Sequence, residues 1–86
     1  MPAMIKSKHE LLNWLSRMKV GYNLDVFGRV EDLFPRPHVL SQIPDDYLSP
    51  TERGLKFFRD HGIQVEFHTD ILNPNEFTIK KVPLAQ

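Results

Sequence analysis

The sequence predicts a small single α+β domain, in which two capped helices pack on a short antiparallel sheet that ends in a C-terminal β-hairpin. Two segments open with the pattern Ser-x-x-Glu and close near a glycine, and the last third of the chain alternates apolar and polar residues. The 86 residues suffice for one domain. We therefore assign 1–86 to a single domain and expect frayed tails at 1–6 and 84–86.

The first helix is predicted over 8–20. Ser7 and Glu10 have the spacing of a capping box, in which each side chain bonds the backbone N–H of the other residue. Apolar residues then recur at the spacing of one helix face, namely Leu11, Trp14, Leu15 and Met18. Gly21 is typical of the residue just past a helix end.

The middle segment starts with a predicted short strand over 22–26 and a short helix over 26–34. Gly28 weakens that helix by about 1 kcal/mol, and Pro35 ends it. We expect a single apolar turn to seal the core after it, made of Val39, Leu40 and Ile43. Asp45 and Asp46 follow Pro44 and fit a turn better than a catalytic pair of carboxylates.

The second clear helix is predicted over 50–61, with Ser49 and Glu52 as its capping box and Gly62 at its end. Leu55 and Phe58 lie on one face, and Phe57 points more than about 90° away from it. Two interpretations of Phe57 are open. Either another segment of the domain covers this side chain, or it is an exposed aromatic anchor for a partner.

The C-terminal third predicts a β-hairpin over 63–82. Its residues alternate between apolar and polar, and Asn73-Pro74-Asn75 is a sequence typical of turns. A turn near Asn73 sets the cross-strand pairs as Phe67 with Ile79 and Glu66 with Lys80.

Composition excludes several classes of protein. The chain has 11 basic and 11 acidic residues, 41% hydrophobic residues and no Cys. It is therefore neither a disordered, highly charged chain nor a disulfide-stabilised one. The sequence has no stretch of the roughly 20 apolar residues needed to span a bilayer, and we expect a cytoplasmic protein without membrane partners.

Motifs for catalysis or cofactors are missing from the sequence. Glu66, His68 and Asp70 share one face of a predicted strand and are residue types that bind metals, but the solvent-exposed face of a hairpin explains them better. We therefore predict no catalytic residue, no metal, no cofactor and no enzymatic activity.

The favoured interpretation is a small non-enzymatic protein that acts by protein–protein interaction, as an adaptor, inhibitor or assembly factor. Its partner is another protein or a second copy of the chain, as in a homodimer, and an exposed hairpin edge offers a further place to bind a strand. Aromatic and Arg residues are enriched at binding hot spots. The predicted partner-binding residues are Arg53, Lys56, Phe57 and His61.

The alternative is a winged-helix-type DNA-binding regulator that uses helix 50–61 and hairpin 63–82. The order of elements suits that fold. The predicted contacts to nucleic acid are Arg53, Lys56, Arg59, Lys80 and Lys81. Overall neutrality and the long, Pro-containing connection over 35–49 count against it, since a helix-turn-helix requires a tight turn.

Overall fold

Four strands form one sheet in the order β1–β2–β4–β3 in the computed structural model, which describes residues 3–39, 41 and 43–84. The strands are β1 (Ala3–Met4), β2 (Asn23–Phe27), β3 (Gln64–Asp70) and β4 (Asn73–Val82). The helices are α1 (Lys8–Ser16), α2 (Val30–Leu33) and α3 (Pro50–Asp60), with a 3₁₀ turn at Pro44–Tyr47. The predicted α+β class is confirmed. The sheet is mixed rather than antiparallel, because β1 runs parallel to β2.

The hairpin of β3 and β4 has the predicted register. Phe67 pairs with Ile79 on the inner face, and Glu66 pairs with Lys80 on the outer face. The turn itself lies at Ile71 and Leu72, two residues before the predicted position. The pairing slips between Thr69 and Asp70, so that the Asn and Pro residues expected in the turn belong to β4 instead.

The core lies between the three helices and one face of the sheet. Strand residues on that face alternate with exposed residues on the other, as expected for a sheet with one buried face. The buried side chains are Ile5, Leu11, Leu15, Leu24, Val26, Val30, Leu33, Phe34, Phe58, Ile63, Val65, Phe77 and Ile79.

Helix α1 begins where predicted and ends four residues early. The Oγ of Ser7 accepts a hydrogen bond of 3.1 Å from the backbone N–H of Glu10, and Leu11 and Leu15 are buried. Trp14, predicted on the buried face, is 36% exposed. The helix ends at Ser16 rather than at residue 20.

Helix α2 is also shorter than predicted, because β2 continues to Phe27 and the chain turns at Gly28. Gly28 has a φ of 142°, which lies outside the helical region and is accessible mainly to glycine. Its N–H donates to the carbonyl of Asn75 at 2.6 Å, which fixes the turn against β4. The helix is therefore limited to Val30–Leu33.

Two further predictions need correction. The expected frayed tail over 1–6 contains β1, which pairs with β2, and Ile5 is buried because it packs in the core. The apolar turn expected to seal the core does not do so, since Val39 and Ile43 are exposed; Leu40 lies outside the described residues. In the C-terminal tail, only Leu84 falls within the described part, and it is exposed.

Within the described ranges, no helix is both long enough and apolar enough to cross a membrane.

Candidate functional site

Helix α3 lies very close to the sheet, and this closeness positions the candidate site. A Cβ atom added at Gly54 would stand 2.8 Å from Cζ of Phe67 and 3.1 Å from Cδ2 of Phe34. Only glycine therefore permits this approach without a shift of the rings. Phe58, one turn further on, is fully buried and anchors the helix. The flank of α3 that carries Arg53 and Phe57 is consequently held beside Phe34.

Phe57 is half-buried, so neither interpretation from the sequence describes it fully. Its ring centroid lies 5.8 Å from that of Phe34 and 5.3 Å from that of Phe58. The start of α1 covers it from another side: the His9 ring lies edge-on at 5.5 Å, and Nζ of Lys8 lies 5.2 Å from the Phe57 centroid. Phe57 is thus both a packing residue and one wall of a surface depression.

That depression, which we call the α3 groove, has a volume of about 290 Å³. Its walls carry four apolar residues and four charged ones. They are Lys8, Phe34, Pro35, Leu48, Arg53, Lys56, Phe57 and Asp60. Three of the charged residues are basic, so the groove is an apolar cleft with a positive charge.

Arg53 is the residue of this groove with unmet hydrogen-bonding capacity. Its Nε and Nη2 atoms are buried and have no hydrogen-bond partner. Among the described residues, no carboxylate lies within ion-pair distance of its guanidinium group. Hydrogen bonds from the Ser41 hydroxyl and N–H, and then the positive charge of Arg53, lower the pKa of Asp46, so Arg53 already has a carboxylate in its surroundings. Because its two unpartnered nitrogens are buried, Arg53 contributes to the groove through its positive charge.

Lys56, in contrast, already has partners. Its Nζ lies 3.2 Å from Oδ2 of Asp60, one turn along α3, and 3.7 Å from Oδ2 of Asp45. The hydrogen bond to Asp60 is the main reason why the pKa of Lys56 is raised above its usual value. The basic character available to a ligand therefore rests on Arg53 and Lys8 more than on Lys56.

His61, the fourth predicted partner-binding residue, does not line the groove. Its Nδ1 atom lies 2.8 Å from the carbonyl oxygen of Phe57, and the centroids of the two rings are 4.7 Å apart. His61 thus packs on Phe57 at the C-terminal end of α3. The structure brings three of the four predicted residues, Arg53, Lys56 and Phe57, into one groove.

The residues of the DNA-binding alternative lie in several places. Arg59 lines a different depression of α3, together with Asp45 and Glu52. Lys80 lies on the outer face of the sheet, opposite Glu66 and away from α3. The ammonium group of Lys81 donates to the backbone carbonyls of Leu15, in α1, and of Met18, just after it, so it is used within the fold.

The acidic and histidine residues of β3 pair locally. Nε2 of His68 lies 3.3 Å from Oε1 of Glu66, and Oδ1 of Asp70 accepts a hydrogen bond of 2.9 Å from the N–H of Leu72. Across the described part of the chain, no three His, Cys, Asp or Glu side chains are placed to share a metal ion. Glu66 therefore lies opposite Lys80 across the hairpin, as predicted, while its carboxylate contacts His68 on the same strand.

Sequence reasoning missed five residues of the groove, and for different reasons. Asp60 follows Lys56 by one turn and could have been found from helical spacing alone. Lys8, Phe34, Pro35 and Leu48 come from other segments of the chain, and no local pattern indicates that they meet α3.

Comparisons of the chain with protein-family models, with curated proteins and with solved structures found no match. The function must therefore be argued from the groove itself.

Proposed function

We propose that this protein is a non-enzymatic interaction module of the cytoplasm that binds a partner protein through the α3 groove. The observation that carries the proposal is that the positive charges of Arg53 and Lys8 line one groove with the half-buried ring of Phe57. Arg and aromatic residues in desolvated clefts are the usual centres of protein–protein binding energy. The absence of Cys from the sequence suits the reducing cytoplasm.

The chemistry of the groove indicates what kind of segment it would bind. Phe34, Pro35, Leu48 and Phe57 provide apolar contact, whereas Arg53 and Lys8 provide positive charge. A partner segment that presents a carboxylate beside an apolar side chain would satisfy both. An Arg–carboxylate pair formed in a desolvated groove is also among the stronger and more directional polar contacts.

The test is affinity capture from nuclease-treated lysate with three baits: the wild-type protein, Arg53→Gln and Lys80→Gln. Each variant removes one positive charge, but Lys80 lies on the outer face of the sheet. We expect a partner protein to be retained by wild type and Lys80→Gln and to be lost, or weakened more than about tenfold, with Arg53→Gln. Equal retention by all three baits would contradict the proposal.

Arg53→Gln is a better probe than a substitution of Phe57, because Phe57 also packs on Phe34 and Phe58. A change of Phe57 to Asp would disturb the fold and the groove together. Thermal melting of each bait, followed by circular dichroism, is the control that tests whether all three are folded.

DNA binding stays a prediction with less support, since its residues lie on different faces of the molecule. Duplex binding at low salt that falls steeply with salt concentration, and that Arg53→Gln and Lys80→Gln weaken equally, would favour it over the groove.

A further inference from the structure

The turn between β3 and β4 carries two aliphatic side chains that contact almost nothing in the protein. Ile71 is 96% exposed and Leu72 is 85% exposed. Such turns usually contain Gly, Asn or Asp, which tolerate the backbone geometry and prefer water. Leu72 also lines a shallow depression with Phe27 and Pro74. We call these four apolar residues, Phe27, Ile71, Leu72 and Pro74, the hairpin tip.

Carboxylates flank the hairpin tip. Asp70 immediately precedes Ile71, and Glu76 lines the same depression as Leu72. One oxygen of Asp70 accepts the N–H of Leu72, while within the described residues its other oxygen has no hydrogen-bond partner. The tip is therefore an exposed apolar surface with negative charge and with a free carboxylate oxygen beside Ile71.

The tip and the α3 groove are complementary in their apolar character and in the sign of their charge. The groove is apolar and carries three basic residues against one acidic residue, and the tip is apolar and carries carboxylates. The sequence Asp70-Ile71-Leu72 is itself a carboxylate beside apolar side chains, which is the chemistry that the groove would recognise. The two surfaces share no residue. Contact through one tip and one groove is head-to-tail, in contrast to a twofold dimer, in which each contact is made twice.

We propose that the hairpin tip of one copy of this protein binds in the α3 groove of another, with Asp70 accepting hydrogen bonds from Arg53. This inference rests on the proposed function, because it uses the same groove and names a second copy as an occupant. Head-to-tail contact leaves one groove and one tip unfilled at the two ends. Association therefore grows with protein concentration, and it weakens as salt screens the charges.

The test is sedimentation velocity of the full chain at low salt over a range of concentrations. One variant, Arg53→Gln, impairs the groove, and another, Ile71→Ser with Leu72→Ser, impairs the tip. Lys80→Gln is the charge control. We expect wild type and the control to associate, and we expect the groove and tip variants to remain monomeric at concentrations at least about tenfold higher.

Mixing the two impaired variants gives the sharpest result. The groove variant still has a tip, and the tip variant still has a groove, so the mixture is expected to form a closed one-to-one dimer although each variant alone is monomeric. Self-association of Arg53→Gln through its tip, or a monomeric wild type at all concentrations, would overturn the inference. Capture of a different partner by wild type and not by Arg53→Gln would then leave the proposed function standing.

Discussion

Helices α1 and α3 open with the same four-residue pattern, yet they are held in different ways. In α3 the capping box is reciprocal: the N–H of Glu52 donates to Oγ of Ser49 at 3.1 Å, and the N–H of Ser49 donates to Oε1 of Glu52 at 3.2 Å. In α1 only the first of these bonds is present. Oε2 of Glu10 accepts instead from the N–H of Lys6, at 3.2 Å.

The two helices differ more at their C-terminal ends. Helix α3 ends at Asp60, one residue before the predicted end, with His61 as its C-cap and Gly62 after that. Helix α1 is stopped from outside: Nζ of Lys81 donates to the carbonyl of Leu15 at 2.8 Å and to that of Met18 at 2.7 Å. The carbonyl of Leu15 is one that a helix continued to residue 20 would use itself, whereas Met18 lies beyond the end of α1. Helix starts are therefore encoded locally here, whereas one helix end depends on a distant lysine.

The largest expected difference in stability is between the loss of an aromatic side chain from α3 and the loss of one from α1. Phe58→Ala in α3 removes a fully buried ring and should lower the free energy of unfolding by about 3–5 kcal/mol. Trp14→Ala in α1 removes a ring that is 36% exposed and should cost less than Phe58→Ala. Urea denaturation followed by circular dichroism measures both. Equal losses would mean that Trp14 belongs to the core, as its helical spacing suggests.

The next effect concerns the external cap of α1. Lys81→Met keeps much of the side-chain volume but removes two charged hydrogen bonds, so it should destabilise the protein by about 1.5–3 kcal/mol. Lys80→Met is the matched control, because the neighbouring lysine lies on the opposite face of β4. Amide hydrogen exchange should show the loss of protection concentrated in the last turn of α1. A loss spread evenly over both helices would argue against a capping role.

The smallest effect distinguishes the two helix N-caps, which are the reciprocal capping box of α3 and the single Ser7 bond of α1. Ser49→Ala and Ser7→Ala should each cost about 1 kcal/mol, with the larger cost at Ser49 because Glu52 also loses its position. Urea denaturation of the two variants at neutral pH makes this comparison. A larger cost at Ser7 would show that the reciprocal bond in α3 adds nothing.

At acidic pH, Ser49→Ala should destabilise the protein less than it does at neutral pH. The Ser49 hydroxyl and then the Ser49 backbone N–H lower the pKa of Glu52 below its usual value in the folded protein. A carboxyl with a lowered folded pKa stabilises the fold above its unfolded pKa, and this contribution is lost as pH falls through the folded value. The cost of Ser49→Ala should therefore shrink between about pH 6 and pH 3. A cost independent of pH would show that the Glu52 carboxylate takes no part.

Sequence patterns predicted the parts of the fold that depend on near neighbours. Capping residues marked both helix starts, and alternation located the hairpin and its Phe67–Ile79 register. Sequence patterns failed where an element forms only through contact with a segment far away in the chain. The sequence Ala3–Met4 has too few residues for any period, and it forms a strand only because β2 offers an open edge.

The candidate site shows the same division. Arg53, Lys56 and Phe57 were predicted from residue spacing in α3. That Phe57 is half-buried could not be predicted, because the residues that cover it, Lys8, His9 and Phe34, come from other segments of the chain. That two nitrogens of the Arg53 guanidinium group are buried without an acceptor is a property of the packed structure, and no spacing within α3 indicates it.

By itself, the sequence determined the fold class, both helix starts and the pairing of the hairpin, because capping and alternation act over a few residues and need no distant partner. The tertiary structure decided where α1 ends, how closely α3 approaches the sheet at Gly54, and that the N-terminal segment joins the sheet. It also made the groove. Each of these features depends on contacts between segments far apart in the chain, and only packing brings those segments together.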